Sequence, residues 1–215
     1  MTKRLLAVFL LFGACSKAPE APVPTSEPAV TNRRVILFLG DSLTAGYGIA
    51  AQDAYPALLA ARWQLQKRPL VVRNAGVSGS TTAGILENLD WNLQDDVALV
   101  FLAIGGNDGL RGRNLKETER DLEAIVRRIQ AQGAKVVIAG QQIPPNYGPK
   151  YAAEFSELYI KVARRTGVPR LPFLLAGVAG RPAYNIVDGI HPNERGHKIM
   201  ADTVETFLNK QGLLR

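Results

Sequence analysis

The chain has 215 residues, 47% hydrophobic and 21% charged, which excludes a disordered polar chain and leaves material for a sizeable core. The formal net charge is +7, but its basic pairs (Arg33-Arg34, Arg127-Arg128, Arg164-Arg165) stand apart with no long run, which argues against nucleic acid as a partner. A single cysteine excludes an internal disulfide framework.

Met1-Thr2-Lys3-Arg4 leads into an apolar run from Leu5 to Ala14. A bilayer crossing needs about 20 apolar residues, so this run is too short for a transmembrane helix. A basic head, a short apolar stretch and small residues at its end predict a secretory signal over residues 1–14. Leu11-Phe12-Gly13-Ala14 directly before Cys15 resembles the bacterial lipoprotein signal, which implies that Cys15 becomes the lipidated first residue. Phe12 stands where leucine is more usual, and a plain signal cut further on is the alternative. Residues 15–32 carry four prolines and almost no bulky apolar side chain. They are expected to form an extended tether, with one domain over 33–215.

Val35-Ile36-Leu37-Phe38-Leu39 reads as a first strand, apolar throughout as in a parallel sheet covered on both faces. A helical pattern covers 53–66, with Tyr55, Leu58, Leu59, Arg62 and Trp63 at helical spacing. A second strand is predicted over Leu70–Arg73, then a short helix from Thr81 to Leu89 that Ser80 or Thr81 caps. Val97–Ala103 is the strongest strand signal. Leu115–Gln130 is an amphipathic helix with Leu122, Ile125, Val126 and Ile129 on one stripe. A strand over Lys135–Ala139, a helix over 149–166, a short strand near Arg170–Pro172 and a helix over 193–210 complete the chain. Strands alternating with helices predict βαβ units and a parallel sheet between helical layers.

Four stretches fall where such a sheet gathers its loops, at the carboxyl ends of the strands. They are Gly40-Asp41-Ser42-Leu43, the Gly-rich loop around Gly79, Gly105-Gly106-Asn107-Asp108, and Asp188-Gly189-Ile190-His191-Pro192. Each alone is ordinary turn or helix-start chemistry. Together they contain what nucleophilic acyl transfer requires: a hydroxyl, a base, an orienter for that base and donors for an oxyanion. Ser42 supplies the hydroxyl, His191 the base and Asp188 the orienter, three residues away across Gly189. The N–H groups of Ser42 and Gly79 and the Asn107 amide are the candidate oxyanion donors.

The order and spacing of these blocks resemble the SGNH (GDSL) hydrolase family over about residues 35–210. Asn107-Asp108-Gly109-Leu110-Arg111-Gly112, Pro145-Asn146-Tyr147-Gly148 and Leu171-Pro172-Phe173 are similar to its bacterial thioesterase/lysophospholipase branch, also called arylesterases. The resemblance implies an α/β fold, a three-layer α/β/α sandwich of flavodoxin-like type on a five-stranded parallel sheet. It also implies hydrolysis of esters or thioesters without metal or cofactor. In it Asp41 and Asp108 orient loops and helix ends rather than react. Ser80 departs from the pattern, since many relatives carry aspartate there, which bears on the rigidity of the Gly79 loop.

Leu110, Ile143, Pro144 and Tyr147 are expected to make an apolar wall that favours an acyl chain, and the glycines at 109 and 112 a loop that moves over it. The partners expected are a small-molecule or lipid ester and, through Cys15, a membrane of the bacterial envelope. Tyr47 reads as a core or rim aromatic. Two other classes compete: a metal-dependent hydrolase using Asp41, Asn107, Asp108 and His191, and a non-catalytic envelope lipoprotein on the same fold. Gly46-Tyr47-Gly48-Ile49-Ala50-Ala51 fits a dinucleotide G-x-G-x-x-A, but it lies too far past the first strand to cradle a phosphate there.

Overall fold

Alternate residues of the first strand, β1 (Arg34–Gly40), bury opposite faces of one sheet. Val35, Leu37 and Leu39 pack into one core, and Ile36 and Phe38 into another. A computed structural model describes residues 34–214. The signal, Cys15 and tether expectations fall outside those residues. The other strands are β2 (Leu70–Gly76), β3 (Val97–Ala103), β4 (Lys135–Ala139) and β5 (Arg170–Leu171). All pair in parallel, in the order β2-β1-β3-β4-β5. Chain order reverses between β1 and β3, and open α/β sheets place their sites at that switch point.

The helices are α1 (Ser42–Ala45), α2 (Tyr55–Leu65), α3 (Thr82–Glu87), α4 (Leu89–Asn92), α5 (Gly106–Leu110), α6 (Leu115–Ala131), α7 (Pro149–Thr166) and α8 (Glu194–Lys210). Ile85 of α3, Leu89 of α4, and the apolar stripes of α6 and α7 cover one face of the sheet. Tyr55, Leu59 and Trp63 of α2 with Met200, Val204 and Leu208 of α8 cover the other. This is the α/β/α sandwich on a five-stranded parallel sheet that the resemblance implied.

Three elements differ from the sequence reading by more than a residue, each for a local reason. The helix expected over 53–66 divides into a 3₁₀ turn, Ala51–Asp53, and α2, whose first turn holds Pro56 where no N–H is required. The second strand continues past Arg73 to Gly76, because pairing with β1 runs on to Gly40 opposite Gly76. A Cβ at Gly76 would lie 2.2 Å from the Ala45 nitrogen, so only glycine lets β2 run beneath α1. The helix expected from Thr81 to Leu89 begins at Thr82, with the Thr81 hydroxyl accepting from the Gly84 N–H at 3.2 Å, and breaks at Asn88.

Candidate active site

Ser42 stands two residues beyond the end of β1, at the first position of α1. The buried Asp41 caps that helix, its carboxylate accepting from the Leu43 N–H at 3.0 Å. Burial pushes the Asp41 carboxyl up to about 6. Its side chain thus orders the turn behind the serine.

Asp188 and His191 come from the loop before α8. Gly189 adopts φ +71°, a left-handed conformation that closes the turn at little cost only for glycine. One Asp188 oxygen accepts from the N–H groups of Ile190 and His191 at 2.9 and 3.0 Å. The other meets His191 Nδ1 at 2.7 Å. Burial alone would raise the Asp188 carboxyl, but these hydrogen bonds outweigh it and bring it down to about 2. With Nδ1–H donating to the carboxylate, Nε2 is the ring acceptor, and it lies 2.9 Å from Ser42 Oγ.

Gly79 has φ +82° in the turn closed by the Ser80 N–H on the Val77 carbonyl at 3.1 Å. Asn107 Nδ2 donates to the Ser80 carbonyl at 2.9 Å, which orients the amide and leaves its second hydrogen free. Arg111 donates to the Gly79 carbonyl at 3.1 Å, so this loop is held from the β3 side without an acid at position 80. Sequence reasoning missed Arg111.

Asp108 lies away from this chemistry. Its buried carboxylate accepts from the Thr82 N–H at 2.9 Å, the Thr82 hydroxyl at 2.7 Å and Arg113 at 2.9 Å. Being so engaged, it joins no metal set with Asp41, Asn107 and His191. Among the described residues no group of three histidine, cysteine or acidic side chains is placed to hold a metal ion. The other histidine, His197, is fully buried in α8, and its Nδ1 accepts from the Tyr55 N–H at 3.1 Å. Tyr47 is half exposed, its ring centroid 4.7 Å from that of His191, so it belongs to the rim and not the core.

A cavity of about 420 Å³ opens beside Ser42 and His191. Of the residues named for an acyl wall, Leu110, Ile143 and Pro144 line this cavity, whereas Tyr147 does not. Phe173, Leu175 and Ile190 complete the apolar wall, and Gln141 lies among them. The loop expected to move at Gly109 is corrected: Gly109 lies within α5 and is buried. A Cβ there would stand 2.7 Å from Phe155 and 2.8 Å from Ile143, so this glycine serves close packing.

Residues 38–199 match the GDSL-like lipase/acylhydrolase family. The chain is 40% identical over 168 residues to the thioesterase 1/protease 1/lysophospholipase L1 of Escherichia coli, covering 78% of this chain and 79% of that one. It is 34% identical to an arylesterase of Vibrio mimicus, over 96% of this chain and 98% of that one. The solved structure of the psychrotrophic esterase EstA from Pseudoalteromonas sp., inhibited by monoethylphosphonate, superimposes with a TM-score of 0.80 at 31% identity. That superposition covers 83% of this chain and 98% of the esterase.

Proposed function

The chain belongs to the GDSL-like lipase/acylhydrolase family, as an ester-hydrolysing serine hydrolase, and on that premise we propose that it works through an acyl-enzyme on Ser42. His191 Nε2 takes the hydroxyl proton as Ser42 Oγ bonds to the carbonyl carbon of the substrate. The carbonyl electron pair moves onto oxygen, where the N–H groups of Ser42 and Gly79 and the free hydrogen of the Asn107 amide stabilise it. The electron pair returns, the bond to the alcohol or thiol breaks, and His191 gives its proton to that leaving group. Water then enters by the same route and releases the acid. Asp188 holds the imidazole in the required tautomer and stabilises its charged form.

The observation that carries this reading is the unbroken contact from Asp188 through His191 to Ser42, at 2.7 and 2.9 Å, beside an apolar cavity. Apolar walls suit the acyl chain of an aryl ester, an acyl thioester or a lysophospholipid. The signal pattern ending at Cys15 supports an envelope location with a lipid anchor. A fluorophosphonate should label the active protein once, with the adduct on Ser42 by peptide mass spectrometry. An adduct elsewhere, or none on active protein, overturns the mechanism.

A further inference from the structure

Arg111 directly follows α5, and its guanidinium makes its one hydrogen bond among the described residues to the Gly79 carbonyl, at 3.1 Å. Asn107 lies four residues earlier, one helical turn away, and donates to the next carbonyl, that of Ser80, at 2.9 Å. Two side chains of one helical turn thereby take hold of two consecutive carbonyls in the loop after β2. That loop has little else to hold it. Val77, Ser78 and Gly79 are all exposed, so no buried side chain fastens them to the body of the domain. Its backbone ties are the Val77 N–H on the Gly40 carbonyl at 3.0 Å and the Ser80 N–H on the Val77 carbonyl at 3.1 Å. The second lies within the loop and does not anchor it. Between those points stands Gly79, at φ +82°, the residue type whose backbone is least restricted.

The spacing of two proposed oxyanion donors depends on this contact. Gly79 supplies a backbone N–H, and Asn107 the amide hydrogen that Ser80 does not engage. A Cβ at Gly79 would lie 3.6 Å from the Arg111 guanidinium, so the cation rests in ordinary contact against that residue. Without Arg111, the Asn107 amide would hold the loop alone with one hydrogen while serving the oxyanion with the other. An exposed hydrogen bond of this kind adds little to folding stability. Its effect on rate is larger, because misplacing a group that meets the transition state by about 1 Å can cost about 10².

Resting on the acyl-enzyme reading, we propose that Arg111 is a positioning residue of the oxyanion hole, which fixes the Gly79 N–H at the distance from the Asn107 amide that the tetrahedral oxyanion requires. The guanidinium itself touches no reacting atom. It uses a single nitrogen for the contact, so a lysine ammonium can take its place, whereas a methionine cannot donate at all.

The test is steady-state kinetics on an aryl ester. Arg111→Met should lower kcat on the order of tenfold, less than the loss of a whole oxyanion donor, with KM and Tm close to wild type. Arg111→Lys should recover most of that loss. Unchanged kcat in Arg111→Met, or an equal loss in Arg111→Lys, overturns the proposal. The ratio of wild-type to Arg111→Met kcat should persist at about 1 M salt, where screening acts within about 3 Å. A ratio that falls to one there would mark a long-range effect of the charge and overturn positioning by contact. Labelling of Ser42 by a fluorophosphonate should slow in parallel in Arg111→Met, because the phosphoryl oxygen occupies the same hole. Labelling at the wild-type rate likewise overturns the proposal. The site of labelling tests the acyl-enzyme reading separately. An adduct away from Ser42 overturns that reading, whereas an adduct on Ser42 with full kcat in Arg111→Met overturns only the role of Arg111.

Discussion

Asp188 and His191, three residues apart, meet side chain to side chain at 2.7 Å while the same carboxylate also accepts two backbone N–H groups of that turn. One carboxylate thereby shapes the loop and fixes the imidazole. Replacing Asp188 by Asn keeps the shape but offers the ring no charge and permits the wrong tautomer. Asp188→Asn should lower kcat by about 10³–10⁴ with little change in KM. Steady-state kinetics on an aryl ester check this, and a loss below tenfold would remove Asp188 from the proposed triad.

Asn107 tests the oxyanion side independently. Its amide is anchored on the Ser80 carbonyl at 2.9 Å and presents its remaining hydrogen. Asn107→Ala should reduce kcat by about 10²–10³. The Asn107→Asp variant retains the shape but replaces the donor with a charge that repels an oxyanion, and it should be at least as impaired. Unchanged turnover in folded Asn107→Ala protein would contradict the assignment.

Asp108 is conspicuous in the sequence beside Asn107, yet its contacts are those of a tie between α5 and α3. It accepts from the backbone and hydroxyl of Thr82 and from Arg113 at distances of 2.7–2.9 Å while fully buried. Asp108→Ala would leave the Thr82 groups unpaired in the interior, at a cost of about 2–4 kcal/mol. For a domain of this size that lowers Tm by about 5–15 °C. The prediction separates stability from chemistry: near-native kcat below the melting range, and early melting by calorimetry.

The parts legible in the sequence were those set by local pattern. The β-branched runs of β1, β3 and β4 and the apolar stripe of α6 announce themselves, because period and composition follow burial directly. The end of β2 was not legible, since Asn74 and Gly76 are poor strand residues held there by pairing with Phe38 and Gly40. Ser42, Asp188 and His191 could be named from spacing because each lies beside a turn or a strand end. The cavity wall could not. Phe173, Leu175 and Ile190 are remote in sequence from Leu110 and Ile143, and only tertiary packing gathers them. Gln141 had a usable signal, a polar residue directly beyond a strand's carboxyl end, but nothing in the sequence says its amide is buried. Gly109 misled because a glycine between two predicted elements reads as freedom. Its actual constraint, contact with Phe155 and Ile143, comes from α7 and the loop after β4.

The pH dependence of stability turns on two buried groups with opposite signs. Burial pushes the His197 imidazole down to about 4, from an ordinary value of 6.5. Between those values the unfolded chain binds the proton and the folded one does not, so acidification from pH 6.5 to 4 removes stability. Burial pushes Asp41 up to about 6, from an ordinary 3.8. Between these values the folded state holds the proton and the unfolded state has released it, so acidification from pH 6 to 4 returns stability. Each shift corresponds to roughly 3 kcal/mol, so the two largely offset one another over that window. Wild-type unfolding free energy from urea titrations should therefore vary little between pH 6.5 and 4.5. Asp41→Asn, which retains a capping side chain, removes only the second contribution. It should be more stable than wild type at pH 8 and lose about 2–3 kcal/mol as the pH falls from 6.5 to 4.5. Parallel curves for the two proteins would show that Asp41 ionises at its ordinary value, and the burial of its carboxylate would then have no consequence for folding.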